Sequence, residues 1–421
     1  MRILVIGNGA REHAIAFKLL HSPLVDKIFV VPGNAGTKSI AENVPIAITD
    51  SNAIGTFAQD QDIQLTIVGP EAPLSLGIVD HFESLGLPIF GPTKSATLIE
   101  SSKVFAKQLM EKYHIPCAKG RIFNSYTEAI TYVESHPLPL VIKADGLAAG
   151  KGVVIAQCRE EARHAVCNIM KRRIFGAAGD TIIIDECLEG NEVSLIAVTD
   201  GKNVIPMVPA CDYKRVFDED QGTNTGGMGS YSPPSFFGEE EINTAVETIL
   251  EPTVAALAKE GIIYRGVLYA GLMLTDEGMK VLEFNARFGD PETQVILPRL
   301  KSDLMELLLG VTHNTLTDVR VEWINDACVG VIMASGGYPG QYQTGYPIVG
   351  LEKLPEDILV FHAGTKHVSP GVIQTDGGRV LTIVGTGSNI AKARANVYSS
   401  ITQVHFENCH YRTDIASREI P

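Results

Sequence analysis

Short apolar runs alternate with helical stretches over the first hundred residues. Residues 2–6 read as a strand, 12–20 as a helix, 27–31 and 65–68 as strands, and 89–90 begin a last strand before Gly91-Pro92. Strands separated by helices, each closing in a glycine or proline loop, predict a parallel sheet covered by helices. Such sheets bind ligands at the carboxyl ends of their strands, which puts loops 7–11 and 69–73 forward as candidates. From about residue 101 the pattern changes. Ser101 and Ser102 can cap a helix that runs through Lys112. Strand runs with glycine turns between them follow, 140–144 paired with 153–156 and 181–184 paired with 192–198. Residues 267–274 and 280–284 form a further hairpin around Asp276-Glu277-Gly278. After Trp323 come strands at 328–334, 358–362 and 379–384, then a helix near 389–401. The expected domains are an N-terminal parallel α/β unit (1–102), a central hairpin-rich unit (103–325, with a flap subdomain at about 120–190) and a small α+β, barrel-like unit (326–421).

Composition narrows the function. Lys and Arg number 35 against 49 Asp and Glu, a net charge of −14. A chain of this sign is not expected to bind nucleic acid or an anionic membrane through bulk charge, although local cations can still hold a small anion. Seven cysteines, an odd number without CxxC spacing, point away from a disulfide framework or zinc cluster. The first six residues run directly into a glycine loop, too short for a signal peptide, and no apolar run approaches the ~20 residues of a spanning helix. A cytoplasmic protein is expected. Glycines make up 40 of 421 residues, above the ordinary share of about 7%, so the glycine loops carry the first candidates.

The loop Gly7-Asn8-Gly9-Ala10-Arg11-Glu12-His13 departs from a dinucleotide fingerprint twice. Glu12 stands where the third glycine belongs, and the second strand ends in Pro32-Gly33-Asn34 without an acid for a ribose. A strand, glycine loop and helix start with free N–H groups and Arg11 remain, a combination suited to phosphate. A second loop, Asp145-Gly146-Leu147-Ala148-Ala149-Gly150-Lys151-Gly152, lies between strands, has one residue too few for a P-loop and lacks its Ser/Thr. It reads as a flap that closes over phosphates, with Lys143 supplying charge. In the connector after residue 185, backbone groups can read a purine edge, and Glu192 either accepts ribose hydroxyls or faces solvent. The run from Glu283 to Gln294 is the sharpest constellation. In a strand Glu283, Asn285 and Arg287 share one face while Phe284, Ala286 and Phe288 pack inward. A carboxylate and an amide oxygen two residues apart suit Mg²⁺, and an adjacent guanidinium can stabilise charge on a moving phosphoryl group. Asp212 in DYKR and the loop Gly226–Gly229 form a fourth stretch, readable as a surface loop or as a site for an ammonium and a carboxylate.

Taken in order, GNGAREHA, VGPEAPL, SSKVFAKQ, KADGLAAGKGV, DYKR with NTGGMG, EFNARFGDPETQ and ASGGYPG resemble the glycinamide ribonucleotide synthetase family of ATP-grasp enzymes over essentially the whole chain. RFGDPETQ is the specific string among them. The resemblance implies a pre-ATP-grasp domain at the N-terminus, a central ATP-grasp domain, and ligation of glycine to 5-phospho-β-D-ribosylamine through glycyl phosphate, with ATP and Mg²⁺ or Mn²⁺. Carried over by position, Lys103, Lys143, Gly146, Gly150, Lys151 and Gly152 would hold ATP phosphates. Glu186 and Leu188 would read adenine, and Glu192 would take the ribose. Gly9, Arg11, Glu12, Glu71 and Pro73 would grip phosphoribosylamine. Asp212, Arg287 and Asp290, with Gly226 and Gly227, would surround glycine and the acyl phosphate, and Glu283 with Asn285 would bind the metal. A monomer or a dimer is expected. Thr223 replaces the proline usual in the family's GPNTGGMG, implying a less rigid loop, and strand 267–274 carries no second metal carboxylate. Three rival readings fit these residues less well. Another ATP-grasp carboxylase has no need of RFGDPETQ with DYKR. A nucleotide-dependent oxidoreductase lacks its third glycine and ribose acid. An inactive ATP-binding regulator has no use for the Glu283–Asn285 pair.

Overall fold

The computed structural model describes residues 1–146 and 152–420. The apolar side chains of Arg2–Gly7, Lys27–Pro32 and Leu65–Val68 are buried on both faces, as strands sandwiched between helices require. Every pair in this sheet is parallel, in the order Glu42–Asn43, Lys27–Pro32, Arg2–Gly7, Leu65–Val68, Ile89–Phe90. Alternation sends Leu4, Ile6, Phe29 and Val31 to one face, against Ile54, Ala58 and Phe82. Ile3, Val5, Val30 and Ile67 go to the other, where they join Ile15 and Leu19 and also Val295, Ile296, Leu304 and Leu308. Each such side chain contributes about 1.5–3 kcal/mol when fully buried. That second face therefore docks the segment after residue 290 onto the first sheet, beside the glycine loop.

The expected helix cap is present: Ser102 Oγ accepts the Phe105 N–H at 3.1 Å and opens the helix Lys103–Lys112. Leu140–Ala144 and Val153–Ala156 pair antiparallel, as expected of the flap. The second pairing is a correction. Ile182–Glu186 pairs with Gly120–Phe123 and Leu140–Ala144, whereas Asn191–Thr199 pairs with Val204–Pro206 and Gly266–Thr275 in a different sheet. The reason is burial. Asn191–Thr199 is buried on both faces from Val193 onward and needs a neighbour on each edge, while Ile182 and Ile184 pack into a separate core with Phe123 and Ile142. Residues 187–190 cross from one sheet to the other. Gly266–Thr275 then turns through Asp276-Glu277 into Gly278–Asn285.

A six-stranded sheet runs Cys211–Asp212, Gly229–Ser232, Ala327–Ser335, Arg379–Gly387, Leu359–His362, with Cys409–His410 beside Ala327–Ser335. Helix Ile390–Ile401 covers it with Ala393, Val397 and Ile401. Its first two strands, at 211–212 and 229–232, escape the apolar pattern because each spans only two to four residues. They carry the DYKR and NTGGMG loops onto the C-terminal sheet. Among the described residues no helix is long and apolar enough to cross a membrane.

Candidate active site

The glycine loop at the end of Arg2–Gly7 is occupied by its own chain. Glu12 folds back so that Oε2 accepts the Gly9 N–H at 2.6 Å, while Oε1 accepts Arg11 Nε at 2.6 Å. A Cβ on Gly7, Gly9 or Gly69 would stand 2.3, 2.7 or 2.1 Å from this side chain. Three glycines thus form a cradle for a carboxylate. This corrects the expectation of free N–H groups waiting for phosphate, because Glu12 caps that helix itself. Arg11 is buried and reaches across to the Phe288 carbonyl at 3.1 Å. Asn34, where a dinucleotide fold would carry its acid, donates instead to the carbonyls of Asn8 (2.9 Å) and His362 (2.7 Å).

The strand Gly278–Asn285 ends inside EFNARF, short of Arg287, but the alternation of faces continues through Phe288. Phe284, Ala286 and Phe288 are buried, and Glu283, Asn285 and Arg287 line a half-buried surface. Arg287 lies between two carboxylates, 3.3 Å from Glu71 Oε2 and 3.3 Å from Glu100 Oε1, and 3.5 Å from Asn285 Oδ1. Burial opposes its charge, but Glu100 and Glu71 outweigh that and raise its pKa further. Glu100 also accepts the Ala286 N–H at 2.7 Å. Burial dominates at Glu100 and raises its carboxyl despite Arg287, whereas at Glu71 the cations Arg287 and Arg11 overcome burial and lower it.

Asp290 is a junction. Its Oδ2 accepts Arg379 Nη2 at 2.7 Å, its Oδ1 accepts Gln294 Nε2 at 2.7 Å, and a Cβ on Gly9 would come within 3.7 Å of it. Arg379 Nη1 also donates to the Gly226 carbonyl at 2.5 Å, and the Gly226 N–H donates to Tyr338 Oη at 3.0 Å. Gly227 has φ +106°, and a Cβ there would strike Pro291 at 2.4 Å, so this loop is packed tightly on DPET. Thr223 sits exposed in the strand Gln221–Asn224, paired with Arg215–Phe217.

A second cluster surrounds Lys214, which pairs with Glu192 Oε1. Against burial, Glu192, Asp212 and Glu283 raise the Lys214 ammonium well above its ordinary value. Burial, with Glu292, Glu192 and Glu283, raises the Asp212 carboxyl against the pull of Lys214. Burial also opposes ionisation of Glu283, but Lys214, Lys103, Lys143 and Arg287 prevail and hold it below the usual carboxylate range. Glu283 is thus an ionised carboxylate whose oxygens, among the described residues, enter no hydrogen bond or ion pair. With the Asn285 amide beside it, this donor set fits a hard divalent cation that completes its shell with water and phosphate oxygens. Among the described residues no group of three His, Cys, Asp or Glu side chains encloses a metal position.

Lys143 Nζ lies 3.1 Å from Asp185 Oδ2 and donates to the Leu282 carbonyl at 3.2 Å, and Lys107 bonds the other Asp185 oxygen at 2.9 Å. Lys103 Nζ donates to the Gly146 carbonyl at 3.1 Å, and Asp145 accepts both Ser102 Oγ and the Val104 N–H at 3.1 Å. The flap entrance is thereby fastened to the helix Lys103–Lys112. Gly150 and Lys151 lie outside the described residues. Glu186 accepts the Lys119 N–H at 2.8 Å; Leu188 is half-buried in the connector and Pro73 buried in the helix Glu71–Leu76. Sequence reasoning overlooked Lys214, Glu100 and Arg379. Lys214 lies within DYKR, but Arg379 and Glu100 carry no local signal.

Family comparisons match the chain in three parts. The phosphoribosylglycinamide synthetase models match as N domain over 1–100, ATP-grasp (A) domain over 101–293 and C domain over 328–418. The phosphoribosylamine–glycine ligase of Caldanaerobacter subterraneus subsp. tengcongensis is 50% identical over 99% of this chain and 100% of its own. That of Escherichia coli K12 is 48% identical over 100% of this chain and 99% of its own. The crystal structure of the Thermotoga maritima phosphoribosylamine–glycine ligase superposes with a TM-score of 0.86 at 34% identity, covering 99% of this chain and 100% of that one. Biotin carboxylase of Campylobacter jejuni shares the fold, with a TM-score of 0.76 at 14% identity over 99% of this chain and 98% of its own.

Proposed function

The chain belongs to the phosphoribosylglycinamide synthetase family, and on that premise we propose that it joins glycine to 5-phospho-β-D-ribosylamine, using ATP, to give glycinamide ribonucleotide, ADP and phosphate in purine biosynthesis. As an ATP-grasp enzyme it works on small molecules and uses ATP with divalent metal ions. The observation that carries the reading is the junction at Asp290, where Gly9, the Gly226 loop and Arg379 come together from three parts of the chain. A two-step ligation needs its amine donor, its amino acid and its nucleotide to meet in one place.

In the first step a glycine carboxylate oxygen attacks the γ-phosphorus and ADP leaves, forming glycyl phosphate. In the second the amine of phosphoribosylamine attacks the acyl carbon, phosphate leaves, and the nitrogen gives up a proton. Phosphoryl transfer asks mainly for positioning and charge stabilisation. Lys103, Lys143 and the 146–152 flap would hold the ATP phosphates. Lys143 carries three N–H groups, and among the described residues Asp185 and Leu282 take two, so one is left there for a phosphate oxygen. Glu186 and Leu188 would read adenine. Glu192 would take the ribose through Oε2, Lys214 holding its other oxygen. Glu283 and Asn285 would bind Mg²⁺, with Mn²⁺ as a substitute, which when bound screens phosphate charge. Gly9, Arg11, Glu12, Glu71 and Pro73 would hold phosphoribosylamine, and Asp212, Arg287, Asp290, Gly226 and Gly227 the glycine and its acyl phosphate. The proposed division of labour follows 1–102, 103–325 and 326–421. We place the enzyme in the cytoplasm as a monomer or dimer.

ADP formation is the direct test. It should require both glycine and phosphoribosylamine, and equal ADP release with either one omitted would overturn the ligase reading. A milder effect is expected at Arg379. Its charge-assisted bonds to Asp290 and Gly226 are worth about 1.5–3 kcal/mol, so Arg379→Met should lower kcat/KM by roughly 10- to 100-fold. Initial rates at limiting phosphoribosylamine measure this, and an unchanged value would detach Arg379 from the site.

A further inference from the structure

The segment that carries Asp212 and Lys214 is held from behind by residues 410–419. In extended backbone successive side chains face opposite ways. Asp212 and Lys214 are half-buried toward Glu192 and Glu283, and Tyr213 between them is buried on the other side. There the Arg412 guanidinium lies 4.7 Å from the centre of the Tyr213 ring. Arg412 is fully buried. Its Nη1 donates to the Arg215 carbonyl and to Asp220 Oδ1, both at 3.0 Å, while Nε and Nη2 bond the two oxygens of Asp414 at 2.7 and 2.6 Å. Neighbouring bonds follow the same path. The Thr413 N–H donates to Asp218 Oδ1 at 2.8 Å, the Glu219 N–H to Asp414 Oδ2 at 2.9 Å, and a His410 ring nitrogen meets the Val216 carbonyl at 2.8 Å. Thus 213 and 215–220 are fastened almost residue by residue to one strap. A planar guanidinium engaged by a bidentate carboxylate, a second acid, a carbonyl and a ring has one orientation open to it.

We propose that Arg412, stacked on Tyr213, is a positioning residue for ligation: it sets the direction in which Asp212 and Lys214 enter the active site. The proposal rests on reading Asp212 as part of the glycine site. A misplacement of about 1 Å costs on the order of 100-fold in rate, so small rearrangements behind Tyr213 carry forward into turnover. Arg412→Met strands two carboxylates and can unfold the strap. Arg412→Lys, which keeps the charge but not the fork, and Tyr213→Leu, which keeps the ion pairs but not the platform, are therefore the informative variants.

Each is expected to lower kcat per folded molecule by about tenfold or more, and Tyr213→Phe is expected to restore the rate lost in Tyr213→Leu. Each should also be non-additive with Asp212→Asn, the combined loss falling well short of the product of the two single losses. Wild-type kcat in both variants would overturn the proposal. So would losses that multiply with Asp212→Asn, or a fall in midpoint with full activity per folded molecule. Substrate-independent ADP release by the wild type is a separate outcome, which removes the ligase reading and this role together.

Discussion

Replacing Glu283 by alanine is expected to abolish metal-dependent turnover, with kcat falling at least about a thousandfold, equivalent to about 4 kcal/mol of lost transition-state stabilisation. Glu283 is a half-buried carboxylate held in its ionised form by Lys214, Lys103, Lys143 and Arg287 against the effect of burial. Because no described neighbour bonds to its oxygens, removal orphans no partner, and the fold should survive. The cations that remain lose one countercharge, so ATP alone can still bind while the proposed metal anchor is gone. Turnover titrated with Mg²⁺, alongside a thermal melt, separates the two effects. A variant that melts like the wild type and shows no Mg²⁺-dependent rate fits the assignment, and full activity discredits it.

Much of this site was legible because it is local. Alternation over Glu283 to Phe288 already separates the polar face from the packed face, and burial follows that division residue by residue. The helix cap at Ser102 and the hairpin around Asp276-Glu277 are likewise short-range chemistry. What escaped was long-range. Glu12 looked like a defect in a glycine fingerprint, yet its carboxylate is accommodated by Gly69, which follows the end of a different strand. Strands 182–186 and 191–199 are adjacent in sequence but belong to different sheets, since burial on both faces of the second is a demand that neighbouring residues do not reveal. Arg379 begins an ordinary strand 89 residues after Asp290, and only the fold makes it a partner of the Gly226 loop. Charged side chains that act across domains leave no periodic trace.

Arg287 offers the other large effect, because it couples chemistry to stability. Arg287→Met should lower kcat/KM on the order of a thousandfold, as expected of a guanidinium that stabilises a transferring phosphoryl group. It should also destabilise the fold. Glu100 is almost wholly buried and Glu71 about one-third exposed, both 3.3 Å from the guanidinium. Breaking a buried pair by removing one member costs about 3–5 kcal/mol, and solvent screening at Glu71 puts this case near the lower end. The pH dependence follows in sign. Glu100 already has a raised carboxyl in the folded state, so it favours folding when protonated and opposes it as pH rises through that folded value. Glu71 is depressed by Arg287 and Arg11, and its contribution is present above the ordinary glutamate range and lost in acid. Without Arg287 the first penalty deepens and the second contribution shrinks. Both changes act above the glutamate range, so the stability deficit should be largest near pH 8 and narrow toward pH 4–5, where protonation relieves the orphaned acids. Denaturant titrations of variant and wild type across that range measure it, and a deficit independent of pH would mean that the two carboxylates do not depend on Arg287. Arg287→Lys divides the roles: a compact ammonium can neutralise Glu100 and recover much of the stability, but it lacks the planar fork, so activity should stay low while the fold is restored.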